Sequence, residues 1–168
     1  MSPIELARPP VAITRMLSPV VLAMLRSPFG GPARRSMMAL RFTGRKSGRR
    51  FDIPVSAHHS NGTLLALTAA TWRVNFRGGH DVEVTYDGRT TPMRGELVEA
   101  IPVVADFYQQ QIQKIGIKQA PRQLALKINV PRMPTAEELA EIVVRERLSI
   151  LWLKPRDTSY APSSRRDS

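Results

Sequence analysis

The segment Thr43-Gly44-Arg45-Lys46-Ser47-Gly48-Arg49-Arg50 places four cations and two glycines within eight residues. Glycines permit positive φ and let backbone amides turn toward one anion. The fork of Arg45 can chelate a phosphate while Lys46 adds a point charge, and Arg49 and Arg50 extend the positive field. That chemistry is the holding of a phosphorylated, polyanionic ligand. A solvated hairpin turn accounts for the same residues about equally well. The spacing is neither that of the nucleotide-triphosphate loop nor that of G-x-G-x-x-G.

Other residue types narrow the chemistry. His58 and His59 are consecutive, so on a strand they face opposite ways, and His80 has no second ligand nearby in sequence. No metal site is expected. The chain has no cysteine, which removes disulfides, thiolate metal sites and cysteine nucleophiles and fits a reducing cytoplasm. No G-x-S-x-G elbow is present. Glu137, Glu138 and Glu141 lie at a helix start, where the dipole explains them. Trp72 follows the small residues Ala69-Ala70-Thr71, so a flat ring could approach the backbone there, although packing in the core is the better reading of the tryptophan alone.

At 168 residues the chain has room for one ordinary domain. Its charge is uneven. Residues 1–51 carry ten Lys and Arg against one acid, Glu5, whereas residues 52–168 carry fifteen against thirteen. Such asymmetry calls for an anionic partner: nucleic acid, lipid headgroups or a phosphorylated small molecule. No apolar run reaches the length of a membrane-spanning helix.

The elements that must position the basic segment follow from periodicity. Residues 1–12 read as a loose lead-in, and residues 13–26 carry apolar positions at helical spacing with Pro19 opening the main helix. Strands are expected over 37–43, 53–58, 63–69, 81–86 and 89–99, with Asn61-Gly62 and Asp87-Gly88 as type I′ hairpin turns. Residues 103–115 read as a helix stopped by Gly116. Thr135 and Glu138 form a capping box that opens a second helix to about Arg147, and residues 149–153 read as a closing strand. The fold class is α+β, an antiparallel sheet or small barrel with flanking helices. The expected layout is a helical leader over 1–35, a cofactor-binding barrel over 36–154 and a disordered tail over 155–168.

Taken together, Leu40-Arg41-Phe42-Thr43-Gly44-Arg45-Lys46-Ser47-Gly48, Pro54, Trp72, Asn75, and Val82 and Val84 leading to Gly88 resemble the deazaflavin (coenzyme F420)-dependent nitroreductase family over residues 37–99. The resemblance implies a split β-barrel of the FMN-binding kind that holds 8-hydroxy-5-deazaflavin, a strongly anionic coenzyme, in preference to flavin mononucleotide. It implies that Arg45, Lys46, Ser47 and Gly48 hold the phosphate with Arg50 as a further basic residue. Pro54 would line the ring site, and Thr71, Trp72 and Asn75 would flank the deazaflavin. Phe107 and Tyr108 are candidates to reach the substrate from the following helix, with packing the simpler role. The chain departs from the family in the short stretch before Trp72, in Arg73 where a tyrosine often stands, and in Phe51 where an arginine is usual.

The implied activity is hydride transfer from the reduced coenzyme to a quinone-like, nitro or other conjugated small molecule, in the cytoplasm. The alternatives are a non-catalytic coenzyme- or lipid-binding protein of the same fold, and a basic module for a membrane surface or nucleic acid. Nucleic acid is the weakest of these, because only Phe29, Phe42 and Phe51 are interleaved with the arginines. The leader suits either capping of the barrel's open end, the slightly better reading, or peripheral contact with the anionic inner face of the cell membrane, and split barrels of this kind often form homodimers.

Overall fold

Val82 and Val84 are buried while Asp81 and Glu83 are exposed, so period-two alternation lays residues 80–86 down as a strand with one face inside. The structure, a computed structural model, describes residues 2–7, 22–23 and 33–156. Its elements are β1 (Ile4–Leu6), α1 (Ala33–Ser36), β2 (Met37–Thr43), β3 (Arg50–Ser56), β4 (His58–Ser60), β5 (Thr63–Thr68), a 3-10 helix (Thr71–Phe76), β6 (His80–Tyr86), β7 (Arg89–Val98), α2 (Ile101–Ile115), a second 3-10 helix (Ile117–Gln119), α3 (Ala120–Gln123), β8 (Leu126–Ile128), α4 (Ala136–Glu146) and β9 (Ser149–Pro155).

Seven strands form one antiparallel sheet in the order β3-β2-β6-β7-β9-β5-β4, and the sheet curls until β3 touches β5. The architecture is α+β, a split barrel with flanking helices. Its inner face gathers Met38, Leu40, Phe42, Ala66, Phe76, Val82, Val84, Leu151 and Leu153 into one core. The outer face of β5 and β9 supplies Leu65 and Ile150 to a second core, which α2 and α4 cover with Val104, Tyr108, Ile112, Leu139 and Ile142. Each buried aliphatic side chain of this size contributes about 1.5–3 kcal/mol, so two cores share the stabilisation of one short chain.

The hairpin turns are as expected. Asn61 and Gly62 take φ of 51° and 80°, and Asp87 and Gly88 take 50° and 77°, the left-handed pair a type I′ turn requires. The capping box forms as well: Glu138 N–H donates to Thr135 Oγ1 at 3.1 Å and Thr135 N–H donates to Glu138 Oε1 at 2.9 Å. Arg132 grips the same carboxylate at 2.8 and 2.9 Å, and chiefly that contact holds the Glu138 carboxyl down to about 2.

Several features differ from the sequence expectation, among them β9, which runs to Pro155 rather than ending at residue 153 and so takes the first residue of the expected tail. β3 begins at Arg50 rather than at residue 53, because the full β2–β3 ladder runs from Met37↔Ser56 to Thr43↔Arg50. The strand then breaks at Ala57, whose N–H turns to Ser36 O at 2.9 Å. Helix α2 begins two residues early, with Pro102 in its first turn, where a missing N–H costs nothing. The lead-in is not loose over residues 4–6: β1 pairs with β8, and Ile4 is 2% exposed in the second core. Three residues are too few to display a period, so no pattern marks that strand. The helix expected over 13–26 lies outside the described residues apart from 22–23, which are helical, and residues 157–168 also lie outside them.

Candidate functional site

The basic loop closes the β2–β3 hairpin, and most of its amides face inward. Gly44 N–H donates to Arg49 O at 2.7 Å, Gly48 N–H to Gly44 O at 3.0 Å, and Arg49 N–H to Ser47 Oγ at 3.0 Å. Gly48 sits at φ +69°, which an L side chain would strain. Among the described residues, the amides of Lys46 and Ser47 donate to no protein acceptor. Those two amides are what the loop offers an anion.

Arg45 has a different task from the one its type suggests. Its backbone N–H donates to Asn75 Oδ1 at 2.9 Å, and its guanidinium donates to Arg77 O and, at 3.0 Å, to Gly79 O. Asn75 in turn donates from Nδ2 to Trp72 O at 2.8 Å. Arg45 therefore braces the loop against the segment that joins β5 to β6, 30 to 34 residues away in sequence. Asn75, expected beside a ring, holds that brace. The outward cations are Lys46 and Arg50, both exposed and with no hydrogen bond or ion pair among the described residues, and Arg49, whose guanidinium carbon stands 5.4 Å from the centre of the Phe51 ring.

Beside the loop the barrel splits. The β2–β6 ladder runs from Met38↔Tyr86 to Arg41↔Glu83 and stops there. Beyond it, Phe42 and Thr43 diverge from His80, Asp81 and Val82, and a cleft of about 410 Å³ opens between them. Arg41, Arg50 and Arg156 add three cations to its lining, against Asp81 and Glu83. Arg41 and Arg156 are paired with these acids or with Asp52, at 3.5 to 3.9 Å, which leaves Arg50 as the open cation. His80 Nε2–H donates to Thr43 O at 2.7 Å across the split, which fixes a proton on that nitrogen.

Behind the cleft the aromatic rings close the barrel. Phe42 stacks on Phe51 at 4.9 Å and meets Phe76 edge-on at 4.8 Å, and half-buried Trp72 lies 5.8 Å from Phe42. Arg73, only 7% exposed, donates from Nη1 to Ala70 O at 2.9 Å and to Ala69 O at 3.4 Å, while its Nε makes no hydrogen bond. Glu99 lies 3.8 Å from that Nε and takes two hydrogen bonds from Arg77, at 2.9 and 3.0 Å. The Arg77 hydrogen bonds, then the two nearby positive charges, hold the Glu99 carboxyl below the usual carboxylate range despite a partial desolvation penalty. The Arg73–Glu99–Arg77 cluster stiffens the segment on which Arg45 is braced. Its partners are 22 to 26 residues apart, so no local pattern announced it.

The remaining expected residues divide. Thr71 is exposed at the start of the 3-10 helix and Trp72 follows it, near the loop. Pro54 pairs with Ala39 in mid-strand, four residues or about 13 Å along β3 from Arg50. As the edge strand, β3 loses no ladder bond to the proline. Phe107 and Tyr108 do not reach the cleft. Both belong to the second core, where Phe107 meets Trp152 at 5.9 Å and Tyr108 is 2% exposed. The helical period put them on the buried stripe of α2, and burial raises the Tyr108 phenol well above its ordinary value. Among the described residues no cluster of three metal-ligating side chains occurs, and no helix is long and apolar enough to cross a membrane.

No family profile and no curated protein matches the sequence. Among solved structures, the chain is similar to one described as a domain-swapped dimer, at 14% identity over 87% of this chain and 100% of that one, with a TM-score of 0.44. It is similar to an F420-H2 dependent reductase at 14% identity over 71% of this chain and 95% of that one, with a TM-score of 0.42. It is also similar to a pyridoxamine 5'-phosphate oxidase-related, FMN binding protein from Nostoc punctiforme, at 10% identity over 82% and 79%, with a TM-score of 0.41. Likenesses this distant give the chain no activity of their own; its chemistry rests on the loop, the cleft and the aromatic wall.

Proposed function

We propose that this chain binds a phosphorylated flavin-type cofactor, 8-hydroxy-5-deazaflavin coenzyme in preference to flavin mononucleotide, and passes hydride to a quinone-like, nitro or other conjugated small molecule. One observation carries the reading. The hydrogen bond from Arg45 N–H to Asn75 Oδ1, with Trp72 close to Phe42, joins the two stretches on which the family resemblance rests into one surface.

The residues fit such a group. Lys46 and Arg50 are unpaired cations among the described residues, and the amides of Lys46 and Ser47 are unused, so a phosphate and acidic tail would find four donors along one hairpin end. Phe42, Phe51 and Trp72 offer an apolar wall for a flat ring. When bound, a deazaflavin supplies two-electron hydride chemistry. The chain's share is to hold the anion, to orient the ring through a loop that Arg45 keeps rigid, and to exclude water with its aromatic side chains. His80 keeps its Nε2 proton directed at Thr43 O, so it acts as a fixed donor in the cleft wall. The proposed cofactor-binding unit is residues 36–154, with β1 of the leader packed into its second core, and a homodimer is part of the same proposal.

Titration of the purified protein with the deazaflavin coenzyme and with flavin mononucleotide tests the reading. The deazaflavin should bind more tightly, and Lys46→Ala with Arg50→Ala should weaken it by at least about tenfold, the worth of a lost charge-assisted hydrogen bond. Equal or tighter binding of flavin mononucleotide, or normal binding by the double variant, would overturn it. Oxidation of the reduced coenzyme by a soluble quinone then distinguishes a reductase from a carrier.

A further inference from the structure

The end of the barrel away from the basic loop is open. β6 runs from His80, in the split, to Tyr86, six residues and about 20 Å away. There Leu64, Val84, Met93 and Leu153 form the floor of a second cavity of about 480 Å³. The register pairs Leu64 with Leu153 and Val82 with Met93, so these side chains share the inner face. Val84 and Leu153 are buried, while Leu64 and Met93 are half-buried and line the opening. The volume lies within the range of small-molecule sites, about 300–1,000 Å³.

The rim is of one sign. The cations Arg89 and Lys154 flank the opening beside the His59 ring, and no acidic residue lines it. Lys154 is held by Glu96 at 2.8 Å, but Arg89 is exposed and has no hydrogen bond or ion pair among the described residues. The rim is also firm: Tyr86 donates from its hydroxyl to Arg35 O at 3.1 Å and packs against His59 at 5.4 Å, and Arg89 follows directly on the Asp87-Gly88 turn. An apolar floor beneath an unpaired guanidinium complements a molecule with a hydrocarbon or aromatic body and one acidic head.

We propose that the barrel mouth is a second binding site, for a small amphipathic organic acid whose apolar body lies on Leu64, Val84, Met93 and Leu153 and whose anionic head meets Arg89. The site is separate from the basic loop and does not depend on the cofactor reading.

Calorimetric titration of the full chain with decanoate tests it. We expect saturable binding at one site, about tenfold weaker with Arg89→Gln, largely kept with Arg89→Lys, and about tenfold weaker for uncharged decanamide. The Lys46→Ala, Arg50→Ala double variant should bind decanoate as the native chain does. Circular dichroism of each variant verifies its fold; Arg89 is exposed and contributes no packing to either core. Absence of saturable binding, insensitivity to Arg89→Gln, or loss of binding in the loop variant would each overturn the proposal. So would a dimer in sedimentation that decanoate dissociates, because the mouth would then belong to a second copy.

Discussion

At one end of the barrel Phe42, Phe51, Trp72 and Phe76 stand 4.8 to 6.0 Å apart between ring centres and shut the interior, whereas at the other Leu64, Met93 and Leu153 leave about 480 Å³ open. The closed end is held by partners remote in sequence: Arg45 reaches carbonyls of residues 77 and 79, and Glu99 ties Arg73 to Arg77. The open end adds short-range geometry, the two-residue turns at Asn61-Gly62 and Asp87-Gly88, to remote contacts such as Tyr86 with Arg35 and Lys154 with Glu96. A rim that also carries two-residue turns keeps part of its shape when its neighbours change. A loop made of remote contacts stays in place only while the whole closed end is packed.

The sharpest way to break this contrast is at Phe76, which is 0% exposed. Phe76→Ala should cost about 3–5 kcal/mol in chemical denaturation, whereas Thr91→Ala at the open mouth should stay within about 0.5 kcal/mol. Similar losses at both positions would remove the distinction between the ends. Gly95→Ala comes next. A methyl there would stand 2.5 Å from Phe76 Cδ1 and 3.1 Å from Leu151 Cδ1, an overpacking worth about 1–3 kcal/mol. Phe76→Leu should recover part of that loss in the double variant, and additivity of the two would show that the ring is not what excludes the methyl.

Arg45→Ala should cost about 1–2 kcal/mol, from its two carbonyl contacts, and should speed amide exchange over residues 44–49. Arg89→Ala, also an exposed arginine, should do neither. Unchanged exchange in the Arg45 variant would return that residue to the role of a free phosphate ligand. The smallest effect belongs to Glu99. Its carboxyl is held low chiefly by hydrogen bonds from Arg77, so its contribution is complete above the usual carboxylate range and is lost as the pH falls through the lowered value. Native protein and Glu99→Gln should differ by about 0.5–1 kcal/mol at neutral pH, after allowance for solvent screening, and converge in acid. A difference that persists or grows in acid would rule out the ion cluster as its source.

How much was legible depended on distance along the chain. The Asp-Gly and Asn-Gly turns and the Thr135 capping box are complete within four residues, so composition alone places them. The alternation of Val82 and Val84 with Asp81 and Glu83 announced a strand for the same reason. The loop was visible as a cluster of cations, but not the division of labour within it. What engages Arg45 is a pair of backbone carbonyls 32 and 34 residues away, and a carbonyl has no side-chain signature. Phe107 and Tyr108 take packing, the simpler of the two roles open to them, and adjacency in sequence to a suspected site is no guide to which face of the sheet a helix covers.

Strand β1 carries a consequence for the order of events during synthesis. Ile4 pairs with Ile128, Asn129 N–H donates to Pro3 O at 2.7 Å, and Arg145 reaches Ile4 O at 2.8 Å. Residues near position 4 leave the ribosome long before those partners exist. At about 5–20 residues per second the wait is on the order of ten seconds. In that interval the local hairpins β2–β3 and β6–β7 can close, since each spans a short loop, whereas β1 has nothing to pair with. The second core is therefore sealed late, by a strand made well before its partners, and a nascent chain halted before residue 126 should hold the barrel hairpins with Ile4 and Leu6 still exposed to chaperones and proteases.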